Sequence, residues 1–140
     1  MATHASRDTS TGIAFENKVK VQTDGVNISK TRLKTFLQSK GIADPTDYLS
    51  WMFQPDEAYF LPDTNEVIIY EKKFQQTAGS ADEKLGACGW KIKEYKDVFS
   101  AAGIDKVSYI YIFCDWFKQK RYEKLLKYIR SVDGCDYMFA

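Results

Sequence analysis

The chain has 140 residues, 44% apolar and 15% aromatic, and its 20 Lys and Arg against 19 Asp and Glu leave a net charge of +1. That length supports one well-packed domain rather than two, and near-neutrality excludes a nucleic-acid binder that works through net basic charge alone. No run reaches the roughly 18 apolar residues of a membrane span, the start lacks a signal-peptide core, and Cys88, Cys114 and Cys135 lack C-x-x-C spacing, so a cytoplasmic protein with buried thiols is the expectation.

Residues 1–10 read as a flexible N-terminus and 11–140 as a single domain. Ser29 is positioned to cap a helix from about Lys30 to Lys40, with Leu33, Phe36 and Leu37 inward and Gly41 ending it. Asp44-Pro45 breaks the chain, and Tyr48 to Phe53 fits either a strand or a short helix. Two strand-like segments follow, Glu57 to Leu61 and Glu66 to Gln75, joined by Pro62-Asp63-Thr64-Asn65, which has the composition of a tight turn. Ser80 and Glu83 form a capping box, and Leu85, Cys88, Ile92, Tyr95, Phe99 and Ala102 recur at helical spacing. A core-facing helix from Ala81 to about Ala102 is predicted, stopped by Gly103; Gly86 and Gly89 weaken it unless something packs closely there. Val107 to Cys114 is a continuous apolar and aromatic run, a buried strand. Asp115 then caps a helix to about Arg130, with Tyr122, Leu125, Leu126 and Ile129 inward. This order predicts an α/β fold with a mixed sheet.

The hairpin decides which charged residues meet. With Asp63 and Thr64 facing each other at its tip, opposed residues have numbers that sum to 127, so Asp56 lies across from Glu71. Directly opposed residues have Cβ atoms about 4.5–5.5 Å apart, close enough for two carboxylates to share a cation. Alternation puts Asp56, Ala58, Phe60, Val67, Ile69, Glu71, Lys73 and Gln75 on one face, and Tyr59, Leu61, Ile68, Tyr70, Lys72 and Phe74 on the other. Lys73, not Lys72, therefore belongs with the acids. The second Pro-Asp, at Pro62-Asp63, is excluded because seven strand steps of about 3.3 Å leave it roughly 23 Å from Glu71.

Mg²⁺ takes oxygen ligands and keeps several waters, so two carboxylates and a phosphate oxygen make a sufficient site. A metal held by Asp56 and Glu71 acidifies a water and neutralises charge on a phosphorane, and the ammonium of Lys73 orients the nucleophile or stabilises that charge. The single histidine, His4, lies in the N-terminal stretch, which disfavours hydrolases built on a catalytic histidine.

Pro55-Asp56 and Glu71-Lys72-Lys73 on a hairpin resemble the motif of the PD-(D/E)xK nuclease superfamily. The resemblance implies a restriction-endonuclease-like α/β core: a mixed sheet whose antiparallel hairpin carries the site, with helices on both faces. It implies catalysis by Asp56, Glu71, Lys73 and Glu16, with Asp56, Glu71 and Glu16 holding Mg²⁺, for which Mn²⁺ can substitute. Glu16 enters because Thr11 to Val19 is similar to the first helix of many members, where a Glu completes the metal shell. The run from Phe74 through Gln75 to Leu85 is similar to the Gln-containing turn and helix that follow the lysine strand.

Lys118, Lys120, Arg121, Lys124, Lys127 and Arg130 crowd the last predicted helix, and Lys18, Lys20, Lys30, Arg32, Lys34 and Lys40 crowd the first segments. Gln75, Lys84, Lys120, Lys124, Lys127, Lys30 and Lys34 are the candidate nucleic-acid contacts, to phosphates rather than bases. The reading is a Mg²⁺-dependent endonuclease acting on DNA, structure-specific or restriction-type and homodimeric, since one compact site cuts one strand. The rivals are a catalytically silent nucleic-acid-binding or protein-interaction module with the same fold, and an RNA endonuclease.

Overall fold

The computed structural model describes residues 24–49, 54–76 and 84–140, and these build a mixed five-stranded sheet with three α-helices. Strand β1 (Val26–Asn27) pairs antiparallel with β2 (Glu57–Leu61), and β2 pairs antiparallel with β3 (Glu66–Lys73). Strands β4 (Lys106–Phe113) and β5 (Cys135–Phe139) add in parallel, so spatial order equals chain order. Parallel neighbours need crossovers, which contain helices α2 (Cys88–Ala101) and α3 (Glu123–Ser131); α1 (Arg32–Ser39) lies between β1 and β2 in the chain.

The hairpin has the predicted register: Glu57 pairs with Tyr70, Ala58 with Ile69 and Phe60 with Val67, each pair summing to 127. Asn65 closes the turn at φ 52°, a left-handed conformation that asparagine tolerates. Ala58, Phe60, Val67 and Ile69 are buried on one face, and parallel register carries that face onto Val107, Tyr109, Tyr111 and Phe113 of β4. The helices pack there. Phe36 of α1 meets Phe60 with ring centroids 5.1 Å apart, Tyr95 of α2 stacks on Tyr109 at 6.0 Å, and Arg130 of α3 lies 3.8 Å over Tyr137, the register partner of Tyr111. Of the two glycines expected to weaken the predicted Ala81–Ala102 helix, Gly89 packs against α3, where a Cβ would come within 3.3 Å of the Tyr128 hydroxyl, whereas Gly86 has nothing within 4 Å and lies in the 3₁₀ turn over Leu85–Ala87.

Helices on both faces were expected, but among the described residues all three occupy one face. Two right-handed crossovers that advance the sheet in the same direction, β3 to β4 to β5, leave their helices on the same side. The predicted helix around residues 11–19, and Glu16 with it, lies outside the described residues, as do residues 50–53 and the Ser80–Glu83 capping box.

Three boundaries differ from expectation. Ser29 does not cap α1: its Oγ accepts from the Ala58 N–H at 2.9 Å, and the helix begins at Arg32. In the predicted Ala81–Ala102 helix, a 3₁₀ turn over Leu85–Ala87 precedes α-helix that starts at Cys88. Asp115 starts no long helix; two 3₁₀ turns, Asp115–Lys118 and Lys120–Tyr122, flank an extended Gln119 (ψ 147°) before α3. Aromatic packing accounts for that break, since Phe117 wedges between Phe113 and Tyr122, at 4.6 and 5.1 Å, and Trp116 Nε1 donates to the Tyr122 hydroxyl at 2.8 Å. β1 and β5 were not anticipated, and β3 ends at Lys73 rather than Gln75. The three cysteines are free and buried, and no helix among the described residues is long and apolar enough to cross a membrane.

Candidate functional site

Along β3 the helix-covered face is apolar at Val67 and Ile69 and then becomes charged at Glu71 and Lys73. The change falls at the carboxyl end of β3, beside the carboxyl end of parallel β4, the end of an α/β sheet where ligands commonly bind. Asp56 directly precedes β2, one step beyond the Glu57–Tyr70 pair, so the register sets it opposite Glu71. Its Oδ2 accepts from the backbone N–H of Lys72 at 3.2 Å, which pins the carboxylate against β3.

The Oε2 oxygen of Glu71 is the focus of the site. It accepts from the Tyr109 hydroxyl and lies 3.3 Å from Lys91 Nζ and 3.5 Å from Lys73 Nζ. These contacts all fall on one oxygen; the described residues place no hydrogen bond on Oε1. Burial pushes the Glu71 carboxyl upward, but Lys73, Lys91 and the Tyr109 hydroxyl together outweigh it and hold its pKa below the usual value. Asp56 goes the other way: burial is the largest cause, the Lys72 N–H opposes it, and the Glu71 charge adds to the rise. The two acids thus titrate apart, with Glu71 ionised first.

Three tyrosines floor the site. Burial, reinforced by the Glu71 charge, drives the hydroxyls of Tyr95, Tyr109 and Tyr111 well above the ordinary tyrosine range, so they remain neutral donors. Tyr111, the register partner of Glu71, is fully buried, and among the described residues its hydroxyl lies near the Tyr109 hydroxyl but has no partner in good hydrogen-bond geometry.

Strand alternation separates the two lysines of the motif as predicted. Lys73 faces Glu71, whereas Lys72 is buried on the opposite face and pairs with Glu57 at 2.7 Å. Glu57 also accepts from the Tyr59 hydroxyl at 3.0 Å.

Lys91, Tyr95, Tyr109 and Tyr111 were not singled out from sequence, although a signal for Lys91 existed. It stands three residues after Cys88 and four before Tyr95, a cation inside the inward-facing stripe of α2. The tyrosines read as strand or helix core, and only the register of β4 against β3 shows that they surround Glu71.

The basic candidates divide. Lys30 is exposed and near enough to Asp56 to favour its ionised form. Lys34 is exposed on α1 and Lys84 just before the 3₁₀ turn at Leu85. Lys120 lies in a 3₁₀ turn apart from Lys124 and Lys127 on α3, so these three do not share one helix as expected. Helix α3 packs beside β5, three strand spacings or about 14 Å across the sheet from β2. Gln75 is half-buried, its N–H directed to Cys114 Sγ at 3.4 Å. Among the described residues no group of three His, Cys, Asp or Glu is placed to hold a metal ion. Comparison with protein-family models, with curated proteins and with solved structures finds no match.

Proposed function

We propose that this chain is a Mg²⁺-dependent endonuclease that hydrolyses phosphodiester bonds in DNA, built on the restriction-endonuclease-like core that its PD-(D/E)xK motif suggests, and acting as a homodimer with one strand cut per site. The observation that carries the reading is the opposition of Asp56 and Glu71 across the hairpin, with Lys73 3.5 Å from Glu71 on the same face.

The donor set fits Mg²⁺. Two carboxylates on adjacent strands, joined by a substrate phosphate oxygen and waters, suffice for an ion that keeps part of its hydration. When bound, the ion supplies charge neutralisation at the phosphate and a lowered water pKa. The other tasks fall to the chain. Lys91 and Tyr109 hold Glu71 by Oε2 and leave Oε1 for a ligand. Asp56, fixed by the Lys72 N–H, supplies the second carboxylate. Lys73, half-buried beside Glu71, has an ammonium that can orient an attacking water or stabilise the pentacovalent charge. In this role Glu16 would add a third carboxylate.

One observation favours the rival, a nucleic-acid-binding or protein-interaction module of the same fold: the Glu71 charge is already balanced by two lysines and its Oε2 accepts from a tyrosine hydroxyl, an arrangement that is stable without metal. Purified protein incubated with plasmid, branched DNA and structured RNA, in Mg²⁺ or EDTA, separates the readings. The endonuclease cleaves DNA only with Mg²⁺, and Asp56→Asn lowers the rate by orders of magnitude while Asp63→Asn, at the exposed turn, cleaves normally. Cleavage confined to RNA selects the RNA endonuclease. Binding without cleavage of any substrate selects the module.

A further inference from the structure

The turn that leads into α1 is held in an uncommon shape. Lys30 has φ 51°, in the left-handed region that long side chains rarely adopt. The surroundings over-determine it: the Lys30 N–H donates to the Pro55 carbonyl and the Ile28 N–H to the Ala58 carbonyl, both at 2.8 Å, while Ser29 Oγ accepts from the Ala58 N–H at 2.9 Å. Between this turn and the start of β2 lies a cleft of about 350 Å³, whose wall includes Asn27, Lys30, Thr31, Arg32, Asp56 and Glu57. That volume is at the small end for ligand sites and suits a single phosphate-bearing unit.

The charges in the cleft do not cancel. Glu57 is neutralised by Lys72 at 2.7 Å, and Asp56, whose charge Lys30 partly offsets, is the one anion left in the wall against Lys30 and Arg32. Lys30 and Arg32 form no ion pair among the described residues. The Asn27 oxygen accepts from the Ser29 N–H at 2.9 Å, which leaves its NH₂ as a donor, and the Thr31 hydroxyl adds another. What faces a ligand is therefore two cations and two neutral donors against the single carboxylate of Asp56, one of the cations a guanidinium suited to paired phosphate oxygens.

We propose that this cleft is a phosphate subsite, taking a phosphodiester of the nucleic-acid strand that neighbours the one presented to Asp56 and Glu71. The inference rests on the endonuclease reading only for the identity of its ligand. It also separates Lys30 from Lys34: the cleft recruits Lys30 and Arg32, and Lys34 does not line it.

The test is amide NMR of the labelled full chain with thymidine 3′,5′-bisphosphate, in Ca²⁺. The probe should shift the Asn27 side-chain amide and the backbone amides of Thr31 and Arg32. Lys30→Asn with Arg32→Gln should weaken its binding at least about tenfold, because asparagine keeps the left-handed turn while the cation is lost. Lys106→Gln, at the far end of the sheet, should leave the shifts unchanged. For duplex DNA in Ca²⁺, the double variant should reduce the slope of log affinity against log salt by about 0.9 for each phosphate that is no longer neutralised. Absence of shifts at the turn, or wild-type binding by the double variant, overturns the subsite even if the protein cleaves DNA. Shifts at the turn without cleavage of any nucleic acid uphold the subsite and remove the endonuclease reading.

Discussion

Replacing Asp56 with asparagine removes one of two like charges that face each other across the hairpin, and in the metal-free protein it should raise stability. Residues so opposed have Cβ atoms about 4.5–5.5 Å apart, and two unit charges about 5 Å apart at an effective dielectric near 20 repel by about 3 kcal/mol. Lys73 and Lys30 offset part of this, and solvent reaching the half-buried carboxylate screens more, so the net gain is on the order of 1 kcal/mol. For a domain of this size that is about 3 °C in Tm. Asparagine keeps an oxygen for the Lys72 N–H. The folded pKa of Asp56 is raised, so the folded state holds the proton more tightly; the penalty is absent below the unfolded pKa and complete above the folded one. The variant should therefore exceed wild type in Tm at pH 7 in EDTA and match it in strong acid. Glu71→Gln should do the reverse. Its pKa is lowered, so its contribution is present above the unfolded glutamate value and fades as pH falls through the folded one. Mg²⁺ at about one hundred times its Kd should add about 2.7 kcal/mol to wild type and little to either variant. Calorimetric melts with EDTA and with Mg²⁺ read all of these. A fall in Tm for Asp56→Asn as large as that for Glu71→Gln would refute the opposed-charge argument.

The two lysines at Glu71 should separate in kinetics: Lys73→Ala abolishes cleavage and preserves DNA binding in Ca²⁺, whereas Lys91→Met lowers activity partially and shifts the acid limb of the pH–rate profile upward, since Glu71 loses one of the cations that hold its pKa down. Identical profiles for Lys91→Met and wild type would remove Lys91 from the site. Lys72→Ala leaves Glu57 without its partner at 2.7 Å and should cost about 2–3 kcal/mol in a denaturant melt, with Mg²⁺ affinity per folded molecule unchanged. Gly89→Ala should stabilise α2 by about 0.5–1 kcal/mol, because its Cβ would meet Val132 at an ordinary 3.9 Å and, at 3.3 Å, the hydroxyl end of the exposed Tyr128 side chain, which can swing aside by a few tenths of an ångström. Gly134→Ala should destabilise by more than that, since φ is +89° and its Cβ would lie 3.0 Å from the Val107 carbonyl; equal melting temperatures for the two glycine variants would contradict the packing.

The sequence by itself determined the hairpin, its register and the face shared by Asp56, Glu71 and Lys73, because side-chain alternation and a tight turn are local properties that a few consecutive residues specify. It also determined the apolar strand β4 and the inward stripe of α2. Tertiary structure decided the rest. Ser29 has the chemistry of a helix cap, but a backbone N–H on β2, 29 residues away, takes its hydroxyl. Asp115 has the same chemistry, but the packing of Phe117 between Phe113 and Tyr122 interrupts the helix it was expected to start. β1 and β5 become strands because edges of an existing sheet offer them partners, and Lys91, Tyr109 and Tyr111 converge on Glu71 only once β4 docks parallel to β3. Local signals specify what a segment can do on its own; which hydroxyl caps, which lysine reaches an acid and which tyrosine lines a site depend on contacts between residues tens of positions apart, and those are set only when the whole core packs.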